Sequence, residues 1–309
     1  MSTTFWNSFS IILNVLFDEQ TDPSVYDNEE FRIASKNGNI DVVDRLLQDM
    51  RVDPSADNNY AIRIASENGH VAVVDRLLQD CRVDPSADNN YAIQIASEFG
   101  YIAVVDRLLQ DCRVDPSAND NDAIHESSAN GHIAVVDRLL QDCRVDPTAI
   151  NNYAIQWASQ NGHVAVVDRL LQDTRVDPSA DNNDAIQWAS ENGHVDVVDR
   201  LLQDGTGSGT RVDPSDCSNY AIRVASENGH VAVVDRLLQD VRVDPYVNDN
   251  SAIRLASRNG HVAVVDRLLQ DLRVDPSAYD NSAIQRASRN GHAGVVDRLL
   301  QDGRCSLPK

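Results

Sequence analysis

Histidine recurs at His70, His132, His163, His194, His230, His261 and His292. A column of imidazoles is what a metal centre or an acid–base site would use. Cys81, Cys112 and Cys143 recur at a fixed spacing of 31 residues and offer thiol chemistry. Between them run stretches rich in Asp and Asn, such as Asp84, Asp88, Asn89 and Asn90, the oxygen donors that calcium prefers. Gly205 to Thr210 reads GTGSGT, with the glycine content of a phosphate-cradling loop.

The recurrence itself dictates what must position these residues. Val52 to Arg82 reads VDPSADNNYAIRIASENGHVAVVDRLLQDCR, and nine copies begin at Thr21, Val52, Val83, Val114, Val145, Val176, Val212, Val243 and Val274. The copy from 176 to 211 carries the GTGSGT insertion and has 36 residues, the others 31. Each copy holds two helical patterns. Ala61, Ile62, Ala65 and Ser66 form a small apolar stripe, with Asn59 before it as the expected N-cap. Asn68-Gly69 breaks that helix, and a second starts near His70 with an apolar face of Val71, Val73, Val74, Leu77 and Leu78. It ends before Asp84-Pro85, and the DPSADNN segment follows as a turn or short hairpin finger. Neither helix can bury its face alone, so the copies are expected to stack into one continuous core.

Stacking undercuts the chemical readings. Neighbouring helices sit roughly 8–10 Å apart, whereas a zinc–nitrogen bond is about 2 Å, so successive histidines cannot easily share a metal. A disulfide needs Cα atoms within about 7 Å, and stacked cysteines are expected farther apart, as small apolar fillers. The acidic fingers lack the interleaved glycine and bidentate Glu of a calcium loop. GTGSGT lacks the Lys and preceding strand of a phosphate loop and reads as a flexible loop, a hinge or a protease-sensitive point. No GxSxG, HExxH or GxGxxG pattern is present. The expectation is no enzyme, no metal and no cofactor. Asp75-Arg76 and its copies pair either along a helix, Arg76 to Asp80, or laterally between repeats.

The pattern A-x-x-x-A-S-x-N-G-H-x-x-V-V-x-x-L-L, seen at Ala61 to Leu78, resembles the ankyrin repeat family. The NNYAIRxASENGH flavour is similar to ankyrin proteins of amoebae and their giant viruses. The resemblance implies an all-α solenoid of helix-turn-helix repeats with short loop or hairpin fingers, and a structural role for the histidine after each glycine. Tyr60-Ala61-Ile62-Arg63 stands where the family has Thr-Pro-Leu-His, and the period of 31 is short of the usual ~33. Residues 21–304 are expected to be nine repeats in one solenoid and residues 1–20 an N-terminal capping half-repeat, since IILNVLFDEQTDPS overlays a second helix. Residues 305–309 form a tail.

In a repeat protein, specificity belongs where the copies differ. They differ at the positions of Asp57, Tyr60, Ile64 and Glu67; the last three share one helix face, which by resemblance lines a concave groove. That face carries Tyr153, Trp157 and Gln160, then Asp184, Trp188 and Glu191, then Tyr220, and is preceded by Glu126. Trp and Tyr are common interface anchors, so these eight residues are expected to bind a basic or amphipathic protein segment. Trp157 and Trp188 could instead pack only between repeats. The last two copies turn basic, with Arg258, Arg286 and Arg289 on the same face.

The chain as a whole narrows the partner. Its formal charge is 27 − 48 = −21 over 309 residues, which disfavours nucleic acid and anionic membranes. The N-terminal MSTTFWNSFSIILNVLF lacks a basic start and a spanning length. Five unpaired-looking cysteines fit a reducing compartment, the cytoplasm or a host cytoplasm. A non-catalytic protein-binding scaffold is therefore expected. The alternative is self-association into oligomers or fibres through the C-terminal repeat, where Val295, Val296, Leu299 and Leu300 are followed only by GRCSLPK.

Overall fold

The computed structural model describes residues 28–203 and 212–306. The half-repeat expected over 1–20 and the GTGSGT insertion lie outside the described residues. The chain divides into two compact units, one ending at Ala118 and one beginning at Asn119. The first holds the helix pairs Glu29–Lys36 with Ile40–Leu47, Ala56–Glu67 with Val71–Leu78, and Ala87–Glu98 with Ile102–Leu109. The second holds Ala118–Ala129 (from its second residue on) with Ile133–Leu140, Ala149–Gln160 with Val164–Leu171, Ala180–Glu191 with Val195–Gln203, Asp216–Asn228 with Val231–Leu238, Val247–Asn259 with Val262–Leu269, and Ala278–Arg289 with Ala293–Asp302. No strand occurs among the described residues.

A helix of eight residues is about 12 Å long and does not hold together alone in water. Within each unit, first helices pack on first helices and second on second. The expected stripe is the core: Ala61, Ile62, Ala65 and Ser66 are buried, as are Val73, Val74, Leu77 and Leu78. Val71 is not part of it and is 39% exposed. These are helix-turn-helix repeats stacked as a solenoid within each unit.

The finger is not a hairpin. Asp57, Asn58 and Asn59 have φ of 53, 57 and 58°, a full left-handed turn ahead of the right-handed helix. The same turn recurs at Asp88-Asn89-Asn90 and Asp181-Asn182-Asn183, among others. Left-handed backbone costs most residues roughly 1–2 kcal/mol each and Asn and Asp least, which explains the residue types. The exposed carbonyls of the turn are met from within the same repeat. Arg63 donates to Asn58 O and Asp57 O at 3.0 Å each, Gln94 to Asn89 O at 2.7 Å, and Gln156 to Asn151 O at 2.8 Å. Arg and Gln interchange at this position because both reach the turn with an N–H.

Asn59 is not the expected N-cap. Its Oδ1 accepts the backbone N–H of Asp84 in the next repeat at 2.7 Å. In the second unit the bond recurs from Asp146 to Asn121, Asp177 to Asn152 and Asp213 to Asn183, each at 2.7 Å. The left-handed turn aims each carboxamide across the seam between repeats.

The histidines also work across that seam. His261 Nε2 lies 2.8 Å from Glu227 O and His163 Nε2 lies 3.0 Å from Ala129 O, each meeting a carbonyl near the end of the preceding first helix. Their rings cover the left-handed glycines Gly229 and Gly131, at φ 84 and 78°. Among the described residues no group of three or more His, Cys, Asp or Glu side chains is placed to hold a metal. The cysteine expectation is overturned: Cys81, Cys112 and Cys143 are exposed, not interior fillers. They sit in the turn after the second helix, where Val241 and Leu272 are exposed as well.

Of the two Asp–Arg alternatives the lateral one forms. Arg76 binds Asp44 of the preceding repeat, Arg267 binds Asp235, both at 2.5 Å, and Arg169 binds Asp137 at 2.7 Å. Asp80 instead takes Arg82, whose remaining N–H groups reach back to Val52 O at 2.9 Å and Leu47 O at 3.2 Å. The hydrogen-bonded guanidinium of Arg82 holds the Asp80 carboxyl below its ordinary range, and Arg113, Arg144, Arg175, Arg273 and Arg304 do the same for Asp111, Asp142, Asp173, Asp271 and Asp302. Asp49, beside Arg51, is lowered to about 2. A depressed carboxyl stabilises the fold above its unfolded value of about 4 and loses that contribution as the folded form protonates below it. The melting temperature is therefore expected to fall as pH drops from about 4 towards 2. Asp173→Asn with Asp271→Asn should flatten that fall, and calorimetry across the range checks it; an equally steep fall in the variant refutes the assignment.

Candidate functional site

The second unit places all eight sequence-derived residues on the same face of successive first helices, which pack in sequence from Ala149–Gln160 to Ala180–Glu191 to Asp216–Asn228. Spacings of four and three residues put Tyr153, Trp157 and Gln160 on one side of their helix, and Asp184, Trp188 and Glu191 on the matching side of the next. Every one of the eight is half-buried, Glu126 and Tyr220 included.

The rings form a ladder. Tyr153 meets Trp157 edge to face at 5.4 Å between centroids and 75°, and Trp157 meets Trp188 across the repeat seam at 6.2 Å and 72°. Such pairs contribute about 0.5–1.5 kcal/mol beyond their area. The tryptophans thus do pack between repeats, and each keeps part of its ring on the surface. Trp157 Nε1–H is shielded from solvent and has no acceptor.

His125 belongs to the ladder, with its ring 5.5 Å from Tyr153 at 77°. The sequence reading passed over it, although its signal was present: it stands where Arg63, Gln94 and Gln156 serve the left-handed turn. Burial lowers its pKa, against a bond to the Ala149 backbone that raises it. Ile150 was also missed. It occupies the first position of a left-handed turn at φ 49° and is 54% exposed, a β-branched residue where Asp57 and Asp88 stand elsewhere. Both departures from the local rule fall in the repeat that carries Tyr153 and Trp157 or the one before it.

Carboxylates rim the rings. Burial raises the Asp184 carboxyl, with Asp181 adding repulsion, and burial alone raises Asp122. Tyr220 stands one repeat beyond Trp188, outside the ring ladder, with Arg223 5.7 Å from its centroid. Burial and then the charge of Glu191 raise its phenol. A strip of partly exposed indole and phenol beside under-compensated carboxylates is suited to desolvating an apolar side chain and pairing an adjacent cation.

A family model described as ankyrin repeats (3 copies) matches residues 31–120, 123–212 and 222–307. The crystal structure of the human ASB11 ankyrin repeat domain superposes with a TM-score of 0.53 at 18% identity, covering 70% of this chain and 99% of that one. At that identity the likeness is one of fold. The comparison with curated proteins gives no match. No helix among the described residues is long and apolar enough to cross a membrane.

Proposed function

From the premise that the chain belongs to the ankyrin repeat family, a family of protein–protein interaction modules, we propose that it is a non-catalytic scaffold binding a basic or amphipathic protein segment. The segment lies along the first helices of the second unit, over Tyr153, Trp157 and Trp188, with Glu126, Gln160, Asp184, Glu191 and Tyr220 around it. The observation that carries this reading is the half-exposed ladder of rings at 5.4 and 6.2 Å, beside carboxylates that burial leaves poorly compensated. Aromatic anchors desolvated at the centre of an interface are where binding energy concentrates. The nine copies over 21–304 acting as one solenoid in a cytoplasm, without nucleic acid or membrane as partner, belong to the same proposal.

The test is Trp157→Ala with Trp188→Ala, assayed against a labelled amphipathic Lys/Leu peptide. Hot-spot truncations of about 2 kcal/mol each predict a loss in affinity of about thirtyfold if the two touching rings act as one anchor and about 700-fold if they add. Circular dichroism shows whether the variant is folded. A folded variant that binds as well as the parent leaves the rings with a packing role only.

Self-association through the last repeat has one observation on its side: Leu300 is 40% exposed, where its counterpart Leu269 is 4% exposed. Light scattering over a concentration series distinguishes it, since a strict monomer throughout removes this reading.

A further inference from the structure

The face that is acidic around Trp157 and Trp188 changes sign farther along the same unit. Arg254, Arg286 and Arg289 have no carboxylate partner among the described residues, in a chain of net charge −21. Arg254 lies 5.0 Å from the Tyr279 ring and donates one N–H to Asn248 O at 2.8 Å, while its Nε is enclosed without an acceptor. Arg286 Nε donates to the Ser282 hydroxyl at 3.0 Å and Arg289 to Gln285 Oε1 at 3.4 Å, both neutral partners. Burial and the like charge of Arg286 depress the Arg254 guanidinium, and Asp249 only partly offsets them. Arg254 and Arg286 repel one another, Arg289 follows Arg286 one turn along the same helix, and Asp249 offsets the charge only in part.

The seam between the two signs is marked by a bond. Glu227 and Arg258, at equivalent positions of adjacent repeats, form an ion pair at 2.5 Å. Before it, at that position, come Gln160 and Glu191; after it comes Arg289. The face is therefore polarised along the stack. A uniformly basic ligand gains at one end and is repelled at the other. With neighbouring helices about 10 Å apart, the three steps from Trp188 to Arg286 span about 30 Å, or about nine residues of extended chain.

We propose that the partner segment is charge-segregated: a basic, amphipathic block seats on the rings, and a run of Asp and Glu about nine extended residues away seats on Arg254, Arg286 and Arg289. This rests on the ring site proposed above and adds the chemistry of the second block and the spacing between them. It also fixes the orientation in which the segment lies.

The probes are three synthetic peptides measured by fluorescence anisotropy on the full chain: the basic Lys/Leu block alone, that block joined through a nine-residue spacer to a Glu/Asp block, and the same joined peptide with a spacer of two residues. The long-spaced peptide is expected to bind about tenfold more tightly than the basic block alone, from several exposed ion pairs acting together. Arg286→Ser with Arg289→Ser should erase that advantage and leave the basic block's affinity unchanged, and the short spacer should not confer it. A basic block that fails to bind sinks the ring site itself. A basic block that binds equally with and without the acidic block sinks only this inference, as does an advantage that survives in the arginine variant. Single-stranded RNA that binds the parent and not the arginine variant would reassign the cationic end to phosphate.

Discussion

Asn152→Ala is expected to destabilise the second unit by about 2–5 kcal/mol. Two separate losses add. Asn152 sits at φ 64°, where an ordinary side chain costs roughly 1–2 kcal/mol. Its Oδ1 is also the acceptor for Asp177 N–H at 2.7 Å, and Asn152 is 8% exposed, so truncation strands a partly buried backbone donor at about 1–3 kcal/mol. Asn152→Gly separates the two: glycine tolerates the backbone and lacks the carboxamide, so it should recover the conformational part alone. Denaturant midpoints of parent, alanine and glycine variants decide the matter. Equal losses for alanine and glycine would show that the left-handed turn carries no preference, and no loss in either would remove the asparagine seam as a stabilising device.

Gly229→Ala should cost about 2–3 kcal/mol. The backbone there has φ 84°, and a Cβ would lie 2.6 Å from His261 Nδ1, so strain at the glycine adds to displacement of the ring. His261→Ala by itself loses the contact of Nε2 with Glu227 O at 2.8 Å, worth about 0.5–1.5 kcal/mol. The two changes should not add. Once the imidazole is gone the new methyl has space, so the double variant is expected to be more stable than the sum of the singles by about 1 kcal/mol. Thermal unfolding of all four proteins tests the cycle; strict additivity would mean that the ring does not rest on the glycine.

The acid, ring and two-block peptide experiments described with the structure address separate layers of the same molecule: the arginine grips between repeats, the aromatic anchors, and the polarity of the face. The acid experiment is independent of the other two, because the arginine grips share no hydrogen bond with the rings, whereas the two-block inference falls if the ring site falls.

Much of this protein is written in periodicity. The apolar positions of Ala61, Ile62, Ala65, Val73, Val74, Leu77 and Leu78 recur at helical spacing and are the buried ones, because a short helix has one way to hide a stripe. The ring cluster was legible for the same reason, since Trp157 and Trp188 stand on one helix face where other copies carry Ile, Glu, Val, Leu or Arg. Tertiary structure alone decided the roles that depend on the neighbouring repeat. Asn59 has the residue type of an N-cap, yet its carboxamide crosses to Asp84, because three left-handed residues turn it away from its own helix. Arg76 had two carboxylates at suitable separations in the chain, and the stacking distance selected Asp44. Cys81 has the character of a filler and is exposed, since the turn after the second helix swings clear of the stack. Spacing along one helix determines which side chains share a face. What each side chain meets across the seam is set by how two repeats dock, and no single repeat contains that geometry.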